Sequence, residues 1–213
     1  MIRPVLYGLA RSVYTRIARL AFEEKKIEYK LEEVEIFGPD GVPPAHFERH
    51  PFGRIPVLQH GDFRLYETSA ITRYVDERFF GPALQPQEPE ARGRMGQIIG
   101  VLDAYGYRPM VWGIFVQRVR LPLQGKSTDE AEVVKALPIA AKCLDVLDLR
   151  LSATPFLAGH RCTLADLHAA PMLIYLALAP DGRLLISQRP RLEAWLESMK
   201  ERPSLQRTKT VYE

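Results

Sequence analysis

Cysteine is nearly absent from this chain: 213 residues hold two, Cys143 and Cys162, with no C-x-x-C pair and no spacing that reads as a metal site. A disulfide-stapled scaffold, a dithiol redox motif and a zinc ribbon are therefore excluded, and a reducing compartment is expected. Charge of one sign is also lacking, with 29 Lys and Arg against 26 Asp and Glu. The basic residues are dispersed, so no phosphate-binding stripe forms and nucleic acid is not an expected partner. No apolar run is long enough to span a bilayer, and no internal repeat or low-complexity tract interrupts the chain. Met1 leads straight into a strand-like segment with no secretory leader in view. These absences lead to the expectation of a soluble, cytoplasmic, metal-free globular protein without a membrane partner.

What is present divides into two kinds of pattern. Val5-Leu6-Tyr7 reads as a short buried strand ending at Gly8. Val13, Ile17, Leu20 and Ala21 then recur at helical spacing up to Lys25-Lys26, whose charge complements the end of a helix dipole. Tyr29 to Ile36 is strand-like but charged, as an outer strand is, so the first segment reads as a βαβ unit with parallel strands. Gly38 to Pro44 carries two glycines and three prolines and reads as an irregular loop.

The second half is helical in pattern. Gly81 to Pro89 is a proline-rich linker, and Ile98, Leu102, Tyr105, Val111, Phe115 and Val119 then mark one or two long helices. Val133, Leu137, Ala140, Leu144, Leu147 and Leu151 form a core-facing stripe, in which Pro138 predicts a kink or an early turn. Cys143 lies in that stripe and is expected to be inert. Thr163 and Asp166 have the spacing of a capping box, and Pro190 opens a last helix carrying Leu192, Trp195, Leu196 and Met199. The expected domains are 1–80, an α/β unit; 81–90, a linker; and 91–213, all helical.

The stretch from Pro51 to Tyr74 concentrates the chemistry. Pro56 stands at the mouth of a short apolar run and cannot donate a ladder hydrogen bond, which suits a strand end where the backbone can pair with an extended ligand. Phe63 to Leu65 follows a Gly-Asp turn, and Glu67-Thr68-Ser69 opens a helix whose unpaired N–H groups form a ready anion site. A peptide-edge acceptor beside a carboxylate receptor describes a tripeptide site. A strand-turn-helix with no ligand is the bland alternative.

Phe52-Gly-Arg-Ile-Pro56 followed by Leu65-Tyr-Glu-Thr-Ser-Ala-Ile71 resembles the glutathione-binding signature of glutathione S-transferases. Ser127-Thr-Asp-Glu-Ala131, Phe156-Leu-Ala-Gly159, Thr163 to His168 and Arg189-Pro190 are similar to the phi class, so the resemblance covers essentially the whole chain. It implies a thioredoxin-like domain followed by a helical one, and an enzyme that ionises the thiol of glutathione and adds it to a small hydrophobic electrophile. The implied catalytic donor is Ser12, with Tyr7 as rival and Tyr14 and Thr15 behind it; Ser12 as a plain helix cap is the other reading of that position. The implied glutathione contacts are Glu67 to the ammonium, Thr68 to the adjoining carboxylate and the Ile55 backbone, presented by Pro56, to the cysteinyl amide. Two features depart from the phi pattern. Arg54 stands where glutamine is usual, and the loop 38–44 lacks a His-Lys pair for the glycine carboxylate, leaving Arg54, His46 or His50 as substitutes, with both histidines also readable as plain exposed loop residues. Tyr14, Tyr105, Met110, Trp112 and Phe115 are candidates for the electrophile site or for ordinary core, and Phe52 for a homodimer anchor or for packing under its own loop. Peroxide reduction, isomerisation or dehalogenation on the same site, or a non-catalytic binding module, are the competing functions.

Overall fold

The computed structural model describes residues 2–213. By internal contacts the described residues form two units, 2–84 with 203–213, and 85–202.

The first unit is built on four short strands: β1 (Val5–Gly8), β2 (Lys30–Glu33), β3 (Val57–His60) and β4 (Phe63–Tyr66), in the order β2-β1-β3-β4. β1 and β2 are parallel, joined by α1 (Val13–Lys25), which is the βαβ unit expected from the sequence. β3 runs antiparallel to β1, and β4 antiparallel to β3 through the turn at Gly61. The second strand is shorter than the Tyr29–Ile36 run, because Val34 and Ile36 leave the ladder to join Leu9 and Ile55 in a small core cluster. A short α2 (Pro44–Phe47) precedes β3, and α3 (Thr68–Arg78) follows β4. The apolar stripes of α1 and α3 are buried: Ile17, Leu20, Ala21, Ile71 and Val75 all have no exposed surface, nor do Leu6, Val57 and Leu58 of the strands.

Lys25 does more than complement a dipole. It is buried, and its Nζ donates to the Asp76 carboxylate at 2.9 Å and to the Asp76 and Pro82 carbonyls, tying the end of α1 to the end of α3. The segment 203–213, containing α10 (Pro203–Arg207), lies along α1: Arg207 donates to Glu23, Ser204 to Glu24, and Arg16 reaches Glu213.

The second unit is helical. α4 (Pro89–Val101) continues into wide i→i+5 turns over Leu102–Gly106 and Arg108–Arg120, then a single turn, α5 (Leu121–Leu123). α6 (Glu130–Arg150) runs through Pro138 as one helix, followed by α7 (Leu164–Leu178), α8 (Pro180–Ser187) and α9 (Pro190–Lys200). The Thr163–Asp166 capping box forms as the spacing predicts. The same Asp166 carboxylate also accepts from Leu157 N–H at 2.9 Å and Trp195 Nε1–H at 3.1 Å, joining a loop, α7 and α9 at one buried point. Cys143 is buried, which pushes its thiol up to about 11 and leaves it unreactive at neutral pH. No single helix among the described residues is long and apolar enough to cross a membrane.

Candidate active site

Strand register places the singled-out residues of the first unit together. Tyr7 pairs with Val57, and Val57 with Tyr66, so these three lie in one row across β1, β3 and β4. The loop after β1, the residues entering β3 and the residues leaving β4 therefore emerge at the same end of the sheet. Adjacent strands are about 4.8 Å apart, so the three exits fall within roughly 10 Å. They deliver Ser12, Ile55-Pro56 and Glu67-Thr68 respectively.

Ser12 is the N-cap of α1. Its carbonyl accepts the first helical bond from Arg16 N–H at 2.9 Å, and its Oγ accepts from Thr15 N–H at 3.4 Å. The hydroxyl oxygen is used there as an acceptor, so its hydrogen is left to donate. Gly8 permits this helix to start so close to the strand: a Cβ there would lie 2.4 Å from Thr15 Oγ1. Gly8 thus faces α1, and Tyr7, one residue earlier, faces the opposite side of the sheet. Tyr7 packs there against the Leu9–Val34–Ile36–Ile55 cluster, with the Arg49 guanidinium 4.5 Å above its ring.

Pro56 follows a cis peptide bond at the entrance to β3. The loop before it is braced from below by two buried histidines. His46, a candidate ligand contact by sequence, has no exposed surface, and its Nε2 bonds the Arg54 carbonyl at 2.7 Å. It is a brace and not a side chain open to a ligand, because α2 turns it inward. His50 is likewise buried, packs at a tilt against Tyr66 and accepts the Phe52 N–H through Nδ1 at 3.3 Å. Gly53 closes this turn at φ +61, where a Cβ would also press on Phe47. Arg54 and Phe52 point outward, Phe52 with 71% of its surface exposed.

The His50 ring titrates below its ordinary value of 6.5, first because it is buried and then because His46 and Arg54 lie near. A folded value below the unfolded one means that its stabilising contribution is complete above pH 6.5 and is lost as pH falls through the lowered value. The melting temperature is therefore expected to drop more steeply on acidification in the wild type than in His50→Asn, which keeps an acceptor and does not titrate. Parallel melting curves against pH would contradict this.

Glu67 precedes α3 at φ 70 and ψ 116, a region a side chain occupies only at a cost of order 1–3 kcal/mol. The first intrahelical bond of α3 runs from Ile71 N–H to the Glu67 carbonyl, so the amides of Thr68, Ser69 and Ala70 come before it. Glu67 is exposed and Thr68 is buried at the helix start.

Residues 11–78 match the family profile described as Glutathione S-transferase, N-terminal domain, and residues 85–203 that of Glutathione S-transferase, C-terminal domain. The chain belongs to the glutathione S-transferase family. It is 34% identical to glutathione S-transferase F13 of Arabidopsis thaliana over 201 residues, covering 93% of this chain and 91% of that one. Among solved structures, glutathione transferase F7 from Populus trichocarpa superposes with a TM-score of 0.86 at 30% identity, covering 96% of this chain and 97% of that one. A theta-class glutathione S-transferase from Xanthomonas axonopodis pv. citri, solved with glutathione bound, gives 0.86 at 28% identity and covers all of both chains. The F-type relatives are phi-class transferases, and the fold is that of the family: a thioredoxin-like unit with a small mixed sheet, and a helical unit.

In the helical unit of this transferase, the aromatic candidates separate. Tyr105 is 65% exposed, and Trp112 is 36% exposed with its Nε1–H donating to Tyr107 Oη at 3.0 Å. Residues 107 and 112 meet because i→i+5 turns bring that spacing onto one face. Met110 and Phe115 are buried, Phe115 against Tyr175 with ring centroids 4.5 Å apart, which is core packing. Tyr14 is half-buried on α1 in the other unit. Among the described residues, no group of three or more His, Cys, Asp or Glu side chains could hold a metal. Sequence reasoning missed Arg49 and the bracing role of His46, since neither has a local pattern; both depend on where α2 folds.

Proposed function

We propose that this transferase binds glutathione at the shared end of β1, β3 and β4, ionises its thiol through Ser12 and joins the sulfur to small hydrophobic electrophiles. The observation that carries this reading is the row Tyr7–Val57–Tyr66, which sends a hydroxyl, a strand edge and an acidic residue beside a helix start to one place. A free thiol, with pKa about 8.5, is mostly protonated at neutral pH. A hydroxyl donor at the positive end of α1 stabilises the thiolate, and each tenfold gain in the thiol's acid dissociation constant corresponds to about 1.4 kcal/mol. The new C–S bond forms from the thiolate, and a leaving group departs or an activated double bond takes up a proton. Ser12 is favoured over Tyr7 because Tyr7 points away from the first turn of α1.

Glu67 receives the γ-glutamyl ammonium, the Thr68 N–H the adjoining carboxylate, and the Ile55 main chain the cysteinyl amide. Arg54 is left as the counter-charge for the glycine carboxylate, because both histidines are buried. The theta-class relative with bound glutathione supports the ligand assignment. Within the helical unit, the exposed faces of Tyr105 and Trp112 offer apolar surface to an electrophile, whereas Met110 and Phe115 are core. The exposed Phe52 serves as the anchor of a homodimer, and the setting is cytoplasmic detoxification.

Ser12→Ala tests the proposal. Loss of one preorganised donor costs roughly 10²–10³ in kcat, and the KM for glutathione should stay within about twofold. Full conjugating activity in that variant would overturn the assignment, and absence of glutathione binding in the wild type would favour a non-catalytic module.

A further inference from the structure

We infer that His46 is a positioning residue for the tripeptide site, acting through the peptide unit between Arg54 and Ile55. The inference rests on the proposal that the Ile55 main chain pairs with the ligand. A carbonyl oxygen can only accept, so the 2.7 Å contact to Arg54 requires the hydrogen on Nε2 of His46. Nδ1 is then an acceptor, buried, with no hydrogen-bond partner. Such a group is costly to bury, and an apolar side chain would fill the same space without that cost. What only the imidazole supplies is a grip on the Arg54 carbonyl.

That carbonyl shares a planar unit with the Ile55 amide. In a trans peptide the C=O and N–H point in opposite directions. Holding the oxygen inward therefore aims the Ile55 N–H outward, at the end of the sheet where Ser12 and Glu67 also emerge. The backbone of His46 is itself fixed: its N–H donates to the Pro43 carbonyl at 2.8 Å, and its carbonyl accepts from His50 N–H at 2.9 Å and Arg49 N–H at 3.0 Å. His50 in turn holds the Gly53 N–H through its carbonyl and the Phe52 N–H through its ring. The loop 50–56 thus hangs on two buried imidazoles one turn apart, of which His46 grips the residue next to the ligand edge.

The test compares His46→Phe, which fills the volume without a donor, with His46→Gln, whose amide can still reach the carbonyl. In ligand-free His46→Phe, amide exchange across residues 50–57 is expected to accelerate about tenfold, and the Kd for glutathione by calorimetry to rise about tenfold. The melting temperature should not fall, the pKa of the bound thiol should not move, and His46→Gln should restore exchange and affinity to within about threefold of wild type. Exchange and affinity within twofold of wild type in His46→Phe would overturn the inference. Should that variant not fold, His46→Asn, polar but too short to reach Arg54, replaces it in the same comparison. If the wild type itself does not bind glutathione, the tripeptide reading fails, while the exchange rates still decide whether His46 holds the loop.

Discussion

Glu213→Ala is expected to lower the free energy of unfolding by about 3–5 kcal/mol, a large share of the stability of any single chain. Arg16 is the reason. It has no exposed surface, and Glu213 receives both of its terminal nitrogens, at 2.6 and 3.1 Å. Thr208 Oγ1 and the Leu205 carbonyl complete the shell. Removing the carboxylate leaves the buried Arg16 guanidinium without its counter-charge, which is more costly than losing a surface ion pair. The double variant Arg16→Met/Glu213→Met removes both charges and should recover most of the loss, as buried pairs replaced by apolar side chains commonly do. Urea titration of the three proteins decides it. A single variant within 1 kcal/mol of wild type would show that the pair does not hold α1 to the segment 203–213.

Glu67→Gly should separate stability from binding. Glycine adopts φ 70 without steric cost, so the relief of strain, offset by the greater freedom of unfolded glycine, leaves a gain of about 1 kcal/mol. The same change deletes the proposed acceptor for the γ-glutamyl ammonium. A hydrogen bond to a charged group contributes about 1.5–3 kcal/mol, so glutathione affinity should fall between roughly tenfold and a hundredfold. Calorimetric titration and thermal melts on the same samples measure both. A variant that binds normally would remove Glu67 from the site, and one that loses stability would mean the backbone there is not strained.

Much of this was legible in the chain. The period of Val13, Ile17, Leu20 and Ala21, the alternation of short apolar runs around Gly61, and the capping pair Thr163–Asp166 each specify local structure through side-chain spacing alone. The Pro56 to Thr68 stretch was legible as a strand entrance and a helix start, and so as a candidate site, because both of its ends are local. What escaped depends on contacts between distant segments. Nothing at position 16 announces a partner at 213, and nothing in the last residues signals that they lie along α1. The i→i+5 turns from Leu102 onward shift the faces of that helix, so Tyr105, which a 3.6-residue period places on the stripe of Ile98 and Leu102, is exposed while those two are core. His46 read as a loop ligand or an exposed loop residue because its burial depends on where α2 turns it, beneath a loop eight residues later.

The central claim is that Ser12 ionises a bound thiol. The most direct measurement is the thiolate absorbance of bound glutathione as a function of pH, in the wild type and in Ser12→Ala. The account predicts a bound thiol titrating well below the free value of about 8.5 in the wild type, and a return toward that value in the variant with glutathione still bound. A bound thiol that titrates at its free value in both proteins, or at the same lowered value in both, would contradict it.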